Sequence, residues 1–178
     1  DFVNTNKGKP FCYMVSYPDP HGPNTVRAPY KKMYANVKVP IPRSLNKTRA
    51  QTPVWAGKAP RLTADTIRVL MPNYYGMVKC LDDNVGRILA ALRKNGQIES
   101  TVIVFTSDHG DLCGEHGRLN KGVPYEGSAR IPFLIHCPGK IKGGTVINEA
   151  LGCVDFLPTV MTLMDVKHGL KVAGRDAS

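Results

Sequence analysis

A long amphipathic stretch set between short apolar runs does most to limit how this chain can fold. Beyond Pro72, the residues Tyr74, Val78, Leu81, Val85, Ile88, Leu89 and Leu92 recur at spacings of three and four. Side chains so spaced share one face of a helix. Thr63 is placed to cap the start, with Asp65 in the first turn, and Gly96 to stop the helix. Pro72 has no N–H and predicts an interruption, with a second helix beginning there. Three apolar runs read as buried strands: residues 11–17 (FCYMVSY), 101–106 (TVIVFT) and 131–137 (IPFLIHC). Residues 154–166 predict a last short helix with Pro158 in its first turn. Strands alternating with helices predict an α/β fold, a sheet with helices on its faces. Residues 24–61 are rich in Pro, Lys, Asn and Thr and show no strong periodicity. They predict an irregular insertion or covering loop, since long unstructured stretches in compact domains tend to be functional.

The chain has 178 residues, 42% hydrophobic and 21% charged, enough for one domain with a sizeable core. No window reaches the roughly 20 continuous apolar residues of a membrane span. The formal net charge of +10 favours anions as partners: phosphoesters, sulfated sugars, acidic surfaces or nucleic acid. No aromatic-interleaved basic stripe and no zinc-finger spacing is present, so nucleic acid is not read as a partner. Cys12, Cys80, Cys113, Cys137 and Cys153 are odd in number and contain no Cys-x-x-Cys pair, which argues against a zinc or redox framework. Cys12 and Cys137 lie inside apolar runs and read as small buried hydrophobes. The polar opening, residues 1–10, has no initiating Met and reads as cut from within a longer protein.

In open α/β sheets, ligands bind beyond the carboxyl ends of the strands. The first apolar run leads into Asp19 and His21, the second into Asp108 and His109, followed by Asp111, Glu115, His116 and Lys121. A carboxylate at a strand end is costly unless paired or bound to a cation, and His109 could ligate beside Asp108. For the dipeptide alone, an ordinary hydrogen-bonded turn is the simpler reading. Lys121, on a glycine-containing loop, could meet an oxyanion as a point charge or simply be solvated. His21, in a proline-rich loop, could donate to an ester oxygen or act as an acid, or have no special task. Asp19 reads as a turn former.

Taken together, these pieces resemble the sulfatase family, within the alkaline-phosphatase-like superfamily. The resemblance rests on motifs in order: a strand, then Thr106-Ser107-Asp108-His109-Gly110, Gly114-Glu115-His116-Gly117, Lys121-Gly122 and Arg130-Ile131-Pro132. Upstream, residues 15–23 look like the family's histidine loop, and residues 75–86 like the helix before the second strand. Downstream, residues 154–159 and Gly174-Arg175-Asp176 also look familial. The resemblance implies an alkaline-phosphatase-like sheet flanked by helices and a metal-dependent sulfuric ester hydrolase. Asp108 and His109 would be metal ligands, and Lys121 and His21 would contact the sulfate oxygens, with His21 assisting the leaving oxygen. Asp82, Asp83, Glu115, His116, Arg130 and Asp155 would serve packing or loop bracing. Family precedent favours calcium, while a histidine ligand leans toward manganese or zinc.

The family's nucleophile is a formylglycine made in a Cys/Ser-x-Pro-x-Arg motif, and no cysteine or serine of this chain stands in one. The leading Asp-Asp metal pair is absent too, because Asp82-Asp83 falls in the helical stretch. Residues 1–178 therefore read as the C-terminal portion of a catalytic domain, an incomplete fragment that would not turn over alone, with the formylglycine upstream. The substrate would be a sulfate ester, either an aryl sulfate or a sulfated glycan. Tyr30, Tyr34, Arg43, Arg49 and Trp55 of the covering segment could contact its sugar or aryl group. Two rival readings stand beside this one: a phosphonate monoester or phosphodiester hydrolase of the same superfamily, and a non-catalytic binder of sulfated glycans. The resemblance alone suggests a periplasmic or secreted location. Oligomeric state is not legible.

Overall fold

The computed structural model describes residues 1–60, 62–167 and 169–178. Arg61, the last residue of the predicted covering segment, lies outside the described residues. Two four-residue helices, α1 (Phe2–Thr5) and α2 (Tyr30–Met33), precede one dominant helix, α3 (Ala64–Lys94). Both ends of α3 stop where the sequence predicts. The Thr63 hydroxyl accepts from the Thr66 amide at 3.1 Å, satisfying one of the first-turn donors. At the far end Gly96 takes φ +73°. Its amide donates to the Arg93 carbonyl at 3.0 Å, and that of Gln97 donates to Leu92 at 2.9 Å. This left-handed cap favours a residue without a Cβ.

Pro72 does not divide the helix; it lies inside α3. A proline in a helix interior costs about 3 kcal/mol through its lost hydrogen bond and ring clash. Burial of Ile67 and Met71 on one side of it and Met77 on the other offsets that cost. The buried face also differs from the predicted stripe. Val78 is 43% exposed, and Ile67, Met71, Met77 and Leu92 are the buried apolar positions. This face does not lie on a sheet. It packs on α1, α2 and the covering segment, which contributes Val39 and Leu45 to one core with Ile67 and Met71. The segment is irregular, as predicted. Its described residues hold only α2 and two single turns, Arg49–Gln51 and Val54–Ala56, yet they supply half of that buried cluster.

The two later apolar runs form strands β1 (Ile103–Thr106) and β2 (Phe133–His136), paired antiparallel with Ile103 opposite His136 and Thr106 opposite Phe133. They are half-buried rather than buried, with Leu134 63% exposed. An antiparallel pair can leave one face open to water. Residues 11–17, predicted as a buried strand, run without regular structure and largely exposed, with Met14 87% accessible. A strand exists only through its ladder partners, and among the described residues the only ladder joins β1 to β2. A four-residue helix α4 (Glu126–Ala129) follows the Lys121 loop, and α5 (Phe156–Leu163) carries Pro158 in its first turn. The Asp155 carboxylate accepts from the amides of Gly152 (2.9 Å) and Arg175 (2.8 Å), tying the last residues back onto α5. The result is a partial α/β arrangement.

Cys137 is buried, as its apolar run predicts, but Cys12 is exposed because its run finds no partner strand. Burial, with the Asp111 charge beside it, pushes the Cys113 thiol up to about 12. Timed reaction with an aromatic disulfide at pH 8 should label Cys12 and Cys153 first, and Cys113 and Cys137 only on unfolding. Rapid labelling of Cys113 would contradict this packing.

Candidate active site

His21 is delivered by a tight turn in which its amide donates to the Pro18 carbonyl at 3.0 Å. Asn24 anchors the loop to α3 through a long contact of its side-chain amide with Met77 Sδ, 4.0 Å. The His21 Nδ1 lies 2.8 Å from the Gly22 carbonyl. A carbonyl can only accept, so Nδ1 carries the proton and the neutral ring leaves Nε2 bare. That Nε2 lies 2.6 Å from Lys121 Nζ, which can only donate. Two residues 100 positions apart in sequence thus meet in one charge-assisted contact.

Lys121 is held by the loop before it. One oxygen of Asp111 accepts from the amides of Cys113 and Asn120, both at 2.9 Å. Leu112 and Gly114 donate to the carbonyls of Asn120 (2.9 Å) and Arg118 (2.8 Å). Asp111, grouped by sequence with the rim carboxylates, is instead the brace that closes this loop. Its signal was available in hindsight: short Asp side chains hold backbone amides a few residues on.

Asp108 and His109 follow β1 directly. Asp108 is exposed and His109 half-buried. The His109 Nδ1 lies 2.9 Å from the Gly110 carbonyl and its Nε2 3.4 Å from Asp108 Oδ2; both neighbours only accept, so either ring nitrogen can carry the proton. The His109 backbone amide, donating to Asp108 at 2.9 Å, holds that carboxyl below the usual carboxylate range, and the imidazole adds to the effect when it is protonated. Ser107, which sequence reasoning passed over, also donates to the His109 carbonyl at 2.7 Å. The His21 and His109 rings sit 6.5 Å apart, centroid to centroid. Asp108, His109, His21 and Lys121 therefore share one solvent-facing rim.

The other candidates go elsewhere. Asp82 and Asp83 pair with Lys79 along α3, at 3.3 and 2.5 Å. Arg130 makes only a long exposed contact with Glu126, 3.8 Å. Asp19 sits in the turn before His21, as a turn former should. Tyr34 packs on Tyr75 of α3, 5.8 Å between centroids. Among the described residues no group of three or more His, Cys, Asp or Glu is placed to hold a metal ion. No described helix is long and apolar enough to cross a membrane.

The family model described as Sulfatase matches residues 1–166. An arylsulfatase of Clostridium perfringens is 34% identical over 177 residues, covering 94% of this chain and 36% of that protein. A solved structure in complex with its substrate D-glucosamine-2-N,6-O-disulfate is 34% identical with TM-score 0.61, covering 67% of this chain and 24% of that one. The phosphonate monoester hydrolase of Agrobacterium radiobacter superposes with TM-score 0.82 at 25% identity, over 99% of this chain and 39% of that one. The chain spans about a third of the length of the curated relatives it matches, 36% and 32% for two of them. The ordered motifs, the backbone that carries them and these matches agree: the chain belongs to the sulfatase family.

Proposed function

We propose that the protein to which these residues belong is a metal-dependent sulfuric ester hydrolase, and that the rim of His21, Lys121, Asp108 and His109 binds the sulfate group. The observation that carries the reading is the 2.6 Å contact of Lys121 Nζ with His21 Nε2 beside the Asp108–His109 pair. A cation, a bare imidazole nitrogen and an ionised carboxylate converge from distant segments, and the isolated alternatives offered by sequence do not explain that convergence. The Lys121 ammonium donates to non-bridging sulfate oxygens and offsets charge that grows on them as the S–O bond breaks. His21 in this tautomer accepts at Nε2. To protonate the leaving oxygen it must first take up a proton there from solvent, while Lys121 keeps its own proton and its charge.

Asp108 and His109 suit a divalent cation in kind: a carboxylate ionised at neutral pH and an imidazole that can give Nδ1–H to the Gly110 carbonyl and offer Nε2 to a metal. Two donors make up only part of a calcium shell of roughly six to eight oxygens. We take calcium first, with manganese and zinc as the alternatives, and assign the remaining ligands to water and to residues outside this chain. Such an ion supplies charge neutralisation at the sulfuryl oxygens. The nucleophile, a formylglycine in the family's manner, is assigned to sequence outside residues 1–178, and the isolated chain is expected not to turn over. The substrate class is a sulfate ester on an aryl or sugar group, met outside the cytoplasm.

A second reading, phosphonate monoester or phosphodiester hydrolysis, is favoured by the fit to the Agrobacterium radiobacter enzyme. Phosphoryl and sulfuryl groups place similar charge on their oxygens, so this rim would serve either. The test is a panel of aryl sulfate, phenylphosphonate monoester and phosphodiester offered to the complete natural protein, with calcium titration of Asp108→Ala alongside. The expected result is a preference for the sulfate and a loss of calcium affinity beyond the roughly 10–100-fold that disturbing even outer metal partners costs. Preference for the phosphonate would install the second reading. Unchanged calcium affinity would remove Asp108 from the metal site.

A further inference from the structure

The covering segment and the Lys121 loop are joined at one place, and the join presents an aromatic surface. Arg118 donates from Nη2 to the carbonyls of Ala56 and Gly57, the latter at 3.1 Å. The Ser44 hydroxyl accepts from the His116 amide at 3.0 Å. These contacts hold the turn Val54–Ala56 against the loop that carries Lys121. On that turn Trp55 is 57% exposed, with its ring centroid 5.0 Å from that of Tyr125. Tyr125 in turn stacks on His116, 3.6 Å away and within 2° of parallel. Val54 and Trp55 are both open to water on this turn, while the same segment buries Val39, Leu45 and Ala56. The cluster also contains three buried polar atoms without a partner: His116 Nδ1, Arg118 Nε and Tyr125 Oη. Native structures leave few such groups, and a bound polar molecule or water is a common reason. Tyr125 is four residues from Lys121, so the chain keeps the two within about 14 Å.

We propose that Trp55, held by Arg118 and backed by Tyr125 and His116, is a specificity-determining platform that stacks on the ring bearing the sulfate, an aryl group or the apolar face of a pyranose. The turn that carries Tyr125 is tied to the residue after His109: the Gly110 amide donates to the Ser128 carbonyl at 2.8 Å. Indole faces bind such rings at little entropic cost, and a rigid aromatic contact beyond the charged rim selects the leaving group without touching the sulfuryl chemistry. Arg118 is a positioning residue in this scheme. The proposal rests on the rim being a sulfate ester site.

The test uses Trp55→Ala and Trp55→Phe in the complete natural protein, with 4-nitrophenyl sulfate and glucosamine 6-sulfate as substrates and inorganic sulfate as inhibitor. Trp55→Ala should lower kcat/KM about 10-fold or more through KM for whichever ring the platform takes, the comparison of the two separating aryl from pyranose. Trp55→Phe should recover most of the loss, and inhibition by inorganic sulfate should not change. Equal kcat/KM for Trp55→Ala and the parent on both substrates overturns the platform and leaves the sulfatase reading standing. If the parent hydrolyses neither substrate, that reading fails. The platform, which rests on that reading, falls with it.

Discussion

Lys121→Ala in the complete protein should reduce kcat for a sulfate ester by roughly 10²–10³-fold, the cost of removing one preorganised donor from a developing oxyanion. The ammonium does two things at this rim. On the proposed reading it is the cation facing the substrate oxygens, and in the structure it lies 2.6 Å from Nε2 of His21. Losing it removes the charge and frees the His21 ring together, so the double variant Lys121→Ala/His21→Ala should fall well short of the product of the single effects. Lys121→Arg is not expected to rescue, because a planar fork cannot keep the same short contact to an imidazole nitrogen while reaching the oxygens. Steady-state kinetics of the parent, Lys121→Ala, His21→Ala, the double variant and Lys121→Arg decide the matter. If Lys121→Ala kept kcat within about threefold of the parent, the lysine would have no part in charge stabilisation.

The second large effect is on stability. Ile67 is fully buried, at 0% exposure, in the core with Val39, Leu45 and Met71. Ile67→Ala should cost about 2–5 kcal/mol, the range for deleting a large aliphatic side chain from a packed core. Its consequences should reach the rim. Gly114, with φ +98°, lies so close that a Cβ there would sit 2.6 Å from Ile67 Cδ1. The turn that begins the Glu115–Gly117 segment is therefore seated on this one side chain, and Lys121 follows a few residues later. Urea unfolding of the parent and Ile67→Ala measures the first part. A midpoint unchanged within error would show that the covering segment and α3 do not share a core. Ile67→Val, which removes a single methylene, should cost only about 0.5–1.5 kcal/mol.

Much of this was legible in the residues themselves, for local reasons. Thr63 and Gly96 mark the ends of α3 because capping depends on one side-chain oxygen and one permissive φ. The β1 and β2 runs are short, apolar and closed by Pro, Gly or Asp, and they pair. Asp108-His109 follows its strand immediately, so sequence order alone puts it at a strand end. The motif order was enough to name the family, since each motif keeps its own spacing whatever surrounds it.

Other features were decided only by tertiary structure. Residues 11–17 have the composition of a strand, but hydrogen-bond partners make a strand, and composition cannot say whether they are present. Pro72 remains inside α3 because burial on both sides outweighs a local penalty, a balance that no local pattern records. The helix face turned out to pack on residues 24–60, since apolar surface does not specify its own partner. The convergence of His21 on Lys121, the closure of the Lys121 loop by Asp111 and the seating of Trp55 by Arg118 all join residues by distance in space. From the sequence come the groups able to do this chemistry and the order in which they occur. Which of them face one another was settled by packing, because a contact between residues 100 apart depends on every fold in the chain between them.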